Sequence, residues 1–328
     1  MTAAARTRPG ALATDVRNAF RDRPIIPLIA LLGVLVVLSE IARPGIVSPD
    51  WAGVILRAAI PLAILAGCQT LTMLTGGIDL SVGAVASMSG FVVATLVGGP
   101  GTGVGIIVAL LVAALAGLVT GVGVGVFRVH PLIMTLGMSL VVLGLANVWQ
   151  LEMVQTATGV PPEFRSIGSG LFLDVVPYSL LVFVPLAALI LLGLRRTGYG
   201  RLLYAIGDNP IAARLSGAKS WQVLIVLYVI SAIMAAIAGF LYSGLTNVAS
   251  VTLADTAVLP SVAAAVVGGT SIMGGRGGFG GTIVGALILT VVSSLLSSLG
   301  YPEAVRQILF GAIIVAVAAA YTRVTGET

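Results

Sequence analysis

The sequence is poor in charge. Asp, Glu, Lys and Arg make up 9% of its 328 residues, against about 25% in soluble proteins. A body this size with so little charge cannot cover a core of its own, which excludes a soluble enzyme and a disordered chain. There is one cysteine, Cys68, so no intrachain disulfide can form and a disulfide-stapled secreted domain is excluded. Cys68 reads as a small packing residue. There is one histidine, His130, so neither a His-rich metal site nor an H-E-x-x-H helix is available. The one lysine, Lys219, follows Gly217-Ala218, and no G-x-x-x-x-G-K-[ST] phosphate loop exists. No pair of acids lies within an apolar run; Glu40, Asp50, Asp79, Glu152, Glu163, Asp174, Asp208, Asp255 and Glu303 fall at or near run ends.

What the sequence has is apolar length. Hydrophobic residues are 58% of the chain, with 42 glycines, and mean hydropathy is +1.12. The glycines show no period of three, so collagen is excluded. A spanning helix needs about 20 apolar residues. Ten runs qualify: 25–42, 52–75, 80–98, 104–127, 131–150, 175–194, 222–245, 257–273, 279–299 and 304–321. The eighth is short and reads as a broken or re-entrant element. The expectation is an all-α polytopic bundle of about ten spans. It has a basic N-terminal segment (1–24), a transmembrane domain (25–321) and a short C-terminal tail (322–328). The first run is followed by Ile41-Ala42-Arg43-Pro44, not a small-x-small cleavage site, so it reads as a retained span.

The charges then orient the bundle. With the N-terminus cytoplasmic, thirteen basic residues fall inside, among them Arg128, Arg195, Arg196, Arg201, Arg214, Lys219 and Arg276. Four fall outside: Arg43, Arg57, Arg165 and Arg306. The positive-inside rule favours this arrangement, with both termini cytoplasmic. The net charge of +5 follows from this asymmetry and gives no reason to expect nucleic acid as a partner.

The longest inside connection, 195–220, carries more than topology requires. Gly207-Asp208-Asn209-Pro210 reads as a helix start, capped by Asp208 or Asn209, with Pro210 in the first turn. A short helix Ile211–Ser216 follows, and Gly217 suits its end. Such a helix can dock a partner; the plainer reading is a solvated basic connector.

These residues resemble the cytoplasmic coupling loop of ABC importer permeases. Ala212-Ala213 and Gly217 keep the spacing of the Glu-Ala-Ala-x-x-x-Gly motif, with Ile211 in place of Glu. The form is similar to that of ribose-type sugar permeases, whose loops read much like Gly-x-Asn-Pro-x-Ala-Ala-Arg-x-Ser-Gly. Gly76-Gly77-Ile78-Asp79-Leu80-Ser81-Val82-Gly83, Pro131–Met138 and Gly268–Thr282 resemble the same family. Physically, Gly76 and Gly77 end one helix, and Asp79 or Ser81 caps the next. A functional reading of Asp79 places it against the ATPase or in a cytoplasmic gate.

The resemblance implies the permease subunit of an ATP-driven importer in a bacterial plasma (inner) membrane, moving a monosaccharide or similar small polar solute. Its implied partners are a second permease subunit in a homodimer, ATP-binding cassette subunits, an extracytoplasmic sugar-binding protein and the lipid bilayer. Gly207, Asp208, Asn209, Pro210, Ala212, Ala213, Arg214 and Gly217 would form the ATPase-coupling loop. This chain would hold no cofactor and catalyse nothing; the partner subunit would use ATP and Mg. Pathway candidates are Gln69, Thr135, Asn147 and Asn247; for Asn147 the alternative is a bond to a neighbouring helix. Spans 2–5 and 7–10 are expected to form an inverted repeat, which rests on the resemblance. The alternative function is an ion-coupled secondary transporter of small solutes, which should place a carboxylate at depth. An integral-membrane enzyme would need clustered His, Cys or acids, which the sequence does not offer.

Overall fold

The structure, a computed structural model, describes residues 25–153, 159–173 and 175–325. The basic segment 1–24 and residues 326–328 lie outside the described residues, as does Asp174. The helices are α1 (Ile25–Ala42), α2 (Pro49–Met73), α3 (Val82–Leu96), α4 (Thr102–Gly125), α5 (Pro131–Met153), α6 (Pro162–Ser169), α7 (Leu180–Arg196), α8 (Gly198–Asp208), α9 (Pro210–Leu215), α10 (Ser220–Thr246), α11 (Val258–Val267), α12 (Phe279–Ser298) and α13 (Glu303–Thr325).

Each of the ten expected runs holds a helix, and these helices differ in length. Six described helices (α1, α2, α4, α5, α10, α12) are long and apolar enough to cross a membrane, and a seventh crossing is available if α7 and α8, bent by 69° at Thr197, count as one. The third run was expected to cross and does not: α3 has 15 residues, about 22 Å at 1.5 Å per residue, short of the ~30 Å core. The eighth run is short as expected, with the ten residues of α11. Two further features were not anticipated: the short helix α6, and a two-stranded hairpin, β1 (Leu171–Phe172) with β2 (Val176–Pro177), ahead of α7.

Helices α2 and α10 form the centre. They run antiparallel, since Thr75 just past the end of α2 and Trp221 at the start of α10 line one cavity. The packing around them repeats in pairs. Helix α10 packs on α4 as α2 packs on α12; α3 packs on α10 and α4 as α11 packs on α2 and α12; α3 packs on α5 as α11 packs on α13. Exchanging α2–α5 for α10–α13 reproduces the set, with α4 and α12 also opposed in direction. That is the packing of an inverted repeat. The two short helices begin inside the bundle, where a Cβ on Gly83 at the start of α3 would meet Ala254 O and Asp255 Cα ahead of α11.

Small residues make the central crossings possible. A Cβ added to Gly117, Gly121 or Gly125 of α4 would collide with the α10 backbone at Tyr228, Ile225 and Trp221 respectively. The spacing of four keeps these glycines on one face, so backbones touch where lipid supplies no hydrophobic drive. Cys68 is fully buried at the α2–α10 contact, its thiol 3.3 Å from Ser231 O, as a packing residue should be. The described cations segregate. Arg128, Arg214 and Lys219 line a cavity at the end that carries α8 and α9. At the opposite end Arg57 donates to Ser169 O at 2.9 Å.

Gly121→Leu is expected to destabilise the protein by about 3 kcal/mol through overpacking. Gly137→Leu, where a Cβ would meet nothing within 4 Å, is expected to be neutral. Thermal unfolding of the purified variants in detergent separates the two.

Candidate coupling surface and the clamped helix break

The connection 195–220 is two helices rather than one. The Thr197 hydroxyl caps α8 by accepting from Gly200 N at 3.1 Å. The Asn209 side chain caps α9, accepting from Ile211 N at 3.1 Å and Ala212 N at 3.0 Å. Of the two expected caps it is therefore Asn209 that acts; Asp208 ends α8, exposed. Pro210 takes the first position of α9, where its missing N–H costs nothing. Gly217 ends the motif at φ +87°, with its N–H donating to Arg214 O at 3.0 Å. Ala213 is buried beneath α9, while Ala212 and Arg214 are exposed. Ile211 and Leu215 are 64% and 85% exposed. This six-residue helix thus presents two bare aliphatic side chains and a cation on its outer face. The sequence concealed α8 because Gly198, Gly200 and Gly207 interrupt it, and glycine is a poor helix former.

Gly207 joins this surface to the bundle. A Cβ there would strike Leu74 O, just past α2, and Gly275 N at 2.5 Å. Gly275 N itself donates to Leu74 O at 3.0 Å. Gly274 and Gly275 adopt φ +96° and +69°, the left-handed region glycine tolerates. Tyr204 Oη donates to Gly277 O at 2.9 Å, tying α8 to the same α11–α12 turn. Helix α8, the end of α2 and this turn meet backbone on backbone.

Beyond Leu74 the chain turns back into the bundle over 75–81. Gly76 has φ +79°, and Gly77 sits where a Cβ would be 3.1 Å from Pro131 Cβ and 3.2 Å from Tyr228 Oη. Gln69 clasps Asp79 from α2: its Nε2 donates to Asp79 O at 2.7 Å and its Oε1 accepts from Asp79 N at 3.2 Å. Thr135 does the same from α5, accepting from Leu80 N at 3.1 Å and donating to Ile78 O at 3.1 Å. Both side chains are fully buried.

The Asp79 carboxylate is 2% exposed. Its Oδ1 accepts from Ser81 N at 3.0 Å and Ser81 Oγ at 2.6 Å; its Oδ2 accepts from Ser231 Oγ at 3.0 Å. It lies at the first turn of α3, where the helix dipole favours negative charge. The expected side-chain cap of α3 by Ser81 is absent, because that hydroxyl turns back to Asp79. Ser231 was missed by sequence reasoning: a lone serine in an apolar run carries no signal until α10 is laid across α2. The same holds for Thr70 and Thr282, whose hydroxyls meet at 2.6 Å between α2 and α12.

The structure brings Gln69, Asp79, Ser81 and Thr135 together and leaves the other two pathway candidates apart from them. Asn247 is the left-handed C-cap of α10, φ 56°, exposed at the opposite end. Asn147 is exposed on α5, whose buried positions (Thr135, Met138, Val142, Ala146) follow a single face.

Residues 52–318 match the family model described as branched-chain amino acid transport system / permease component. The chain belongs to this permease family. It is 33% identical over 306 residues to the ribose import permease protein RbsC of Bacillus subtilis, covering 92% of this chain and 95% of that one. It is 35% identical to the protein of the same name from Escherichia coli K12, over 88% of this chain and 90% of that one. It is 33% identical to the fructose import permease protein FrcC of Rhizobium meliloti, over 88% and 82% respectively. No solved structure matches the chain. The permease is thus a multi-pass membrane protein of the ribose-type ABC family, as the four motifs implied.

Replacing Gln69 by Leu leaves Asp79 N–H and C=O buried without partners. A loss of about 2 kcal/mol is expected, with a smaller loss for Ser231→Ala. Midpoints of thermal unfolding at fixed detergent concentration measure both.

Proposed function

We propose that this chain forms the translocation pathway of an ATP-driven importer for a monosaccharide or similar small polar solute. The observation that carries the reading is the locked contact of Gly207 with Leu74 and Gly275. It gives an exposed, capped helix a rigid connection to both halves of the inverted repeat. ATP-binding cassette subunits would cover Ile211, Ala212 and Leu215 from the cytoplasm, with Asp208, Asn209, Pro210, Arg214 and Gly217 fixing the shape they meet. Their closure on ATP would displace α8–α9, and with it the break at 75–81 and the α11–α12 turn. ATP and Mg act in those subunits. The energy reaches the solute only because ATP favours one arrangement of the assembly over the other.

The cationic end is cytoplasmic in this reading, in a bacterial inner membrane with both termini inside. The extracytoplasmic binding protein would deliver its sugar at the end carrying α6 and the β1–β2 hairpin. The second permease subunit, a copy of this chain, would face α5. That helix exposes Asn147, an amide that lipid cannot pair. The ribose and fructose relatives support a sugar as the solute, and Asn147 supplies an amide of the kind that hydrogen-bonds hydroxyls. Gln69 and Thr135 would serve this pathway indirectly, by holding its break in shape.

Ala213→Pro removes the Ala213 N to Asn209 O bond of 3.0 Å, and Gly217→Val forces a β-branched residue to φ +87°. Both variants are expected to insert normally but to lose at least about tenfold in ATP-dependent uptake, a coupling loss of about 1.4 kcal/mol. Proteoliposomes containing the ATPase subunits measure it. Uptake at wild-type rates in both variants overturns the docking role. Gradient-driven uptake by the chain alone would establish the ion-coupled alternative instead.

A further inference from the structure

The largest opening near the coupling helices is a cavity of about 810 Å³ between the end of α4, the start of α5, α9 and the start of α10. Its lining contains Arg128, Arg214 and Lys219 and no carboxylate. Among the described residues the one ion pair is Arg306–Glu303, at the opposite end, so none of these three cations has an acidic partner. The three residues are exposed, and Arg214 Nε donates to Pro210 O at 3.2 Å; the hollow concentrates positive charge where an anion can reach it.

The backbone around the cavity is also unusual. Arg128 is held at φ 57°, a backbone conformation that residues with a side chain avoid. Such outliers persist where the surroundings enforce them. The 27-residue helix α10 begins at the cavity with no side-chain cap; Ser220 N donates to Ala218 O at 3.0 Å and Gln222 N to Lys219 O at 2.9 Å, so its start adds Lys219 rather than free N–H groups. Beside it, Ser220 Oγ is buried without a hydrogen-bond partner. Three cations with no carboxylate among them form the donor set that suits phosphate.

The source of the phosphate follows from what adjoins the cavity. Helix α4 bares an aliphatic stripe, Ile107, Leu111, Leu115 and Val119, which ends at Val126 and Phe127, 50% and 74% exposed. Val126 is also part of the cavity wall. An acyl chain lying along this stripe brings its headgroup to Arg128 and Lys219. We propose that this cavity is a binding site for the headgroup of an anionic phospholipid, which bridges the α4–α5 turn to the coupling helix α9. Basic pockets between helices on the cytoplasmic side recognise such headgroups. The site is independent of the solute carried.

Thermal unfolding of the purified full chain in neutral detergent tests it, with dioleoylphosphatidylglycerol, dioleoylphosphatidylcholine or inorganic phosphate added. Phosphatidylglycerol is expected to raise the wild-type Tm by about 5 °C, as saturating a site on the folded state does, and phosphatidylcholine by less than half of that. Arg128→Gly, whose backbone accepts φ 57° without strain, and Lys219→Gln are each expected to lose most of the shift. The double variant Arg196→Gln/Arg201→Gln removes two exposed cations outside the cavity and is expected to keep it. Equal shifts with both lipids, or a full shift in Arg128→Gly and Lys219→Gln, overturn the proposal. A full shift with inorganic phosphate alone overturns the lipid assignment.

Discussion

A chain that turns back into a packed bundle buries backbone N–H and C=O groups that must find partners there. This permease breaks its chain between α2 and α3, and the structure around the break follows from that constraint. The amide of Gln69 is bidentate and takes both polar groups of Asp79 at once. The Thr135 hydroxyl, donor and acceptor together, takes one group from each of Ile78 and Leu80. The clamps come from helices on either side, so the break is a rigid part of the bundle.

The connection 195–220 meets this frame directly. Helix α8 reaches the end of α2 by backbone contact at Gly207, with no flexible side chain between. The same contact reaches Gly275 in the second half of the repeat. Helix α8, which leads into α9, is thus packed on backbone of both halves. The glycines of α4 along α10 serve the same end. They permit close crossing without interlocking side chains.

The one deeply buried carboxylate among the described residues belongs to this frame. Both oxygens of Asp79 are occupied by Ser81 and Ser231, and the first turn of α3 lies beside them. Its partners join the break to α10, across the axis of the repeat. Position in the chain put Asp79 at a span end; folding put it in the interior, because the chain turns inward after Leu74.

Much of this was legible in the residues. Scarcity of charge and the length of the apolar runs fixed a polytopic helical bundle, since only helices satisfy their own backbone along such runs. Asn209-Pro210 and Gly217 marked the coupling helix, because capping and left-handed turns are local chemistry. Hidden from the sequence were the 15-residue length of α3 and the existence of α8. The partners Ser231 and Thr282 and the joining of Arg128 to Lys219 around one cavity were hidden too. Each of these depends on which helix crosses which and at what depth. Hydropathy reports that a residue prefers to leave water, not which neighbour it meets. Only the tertiary packing decides that, through the glycine faces that let α4, α10, α2 and α12 close on one another.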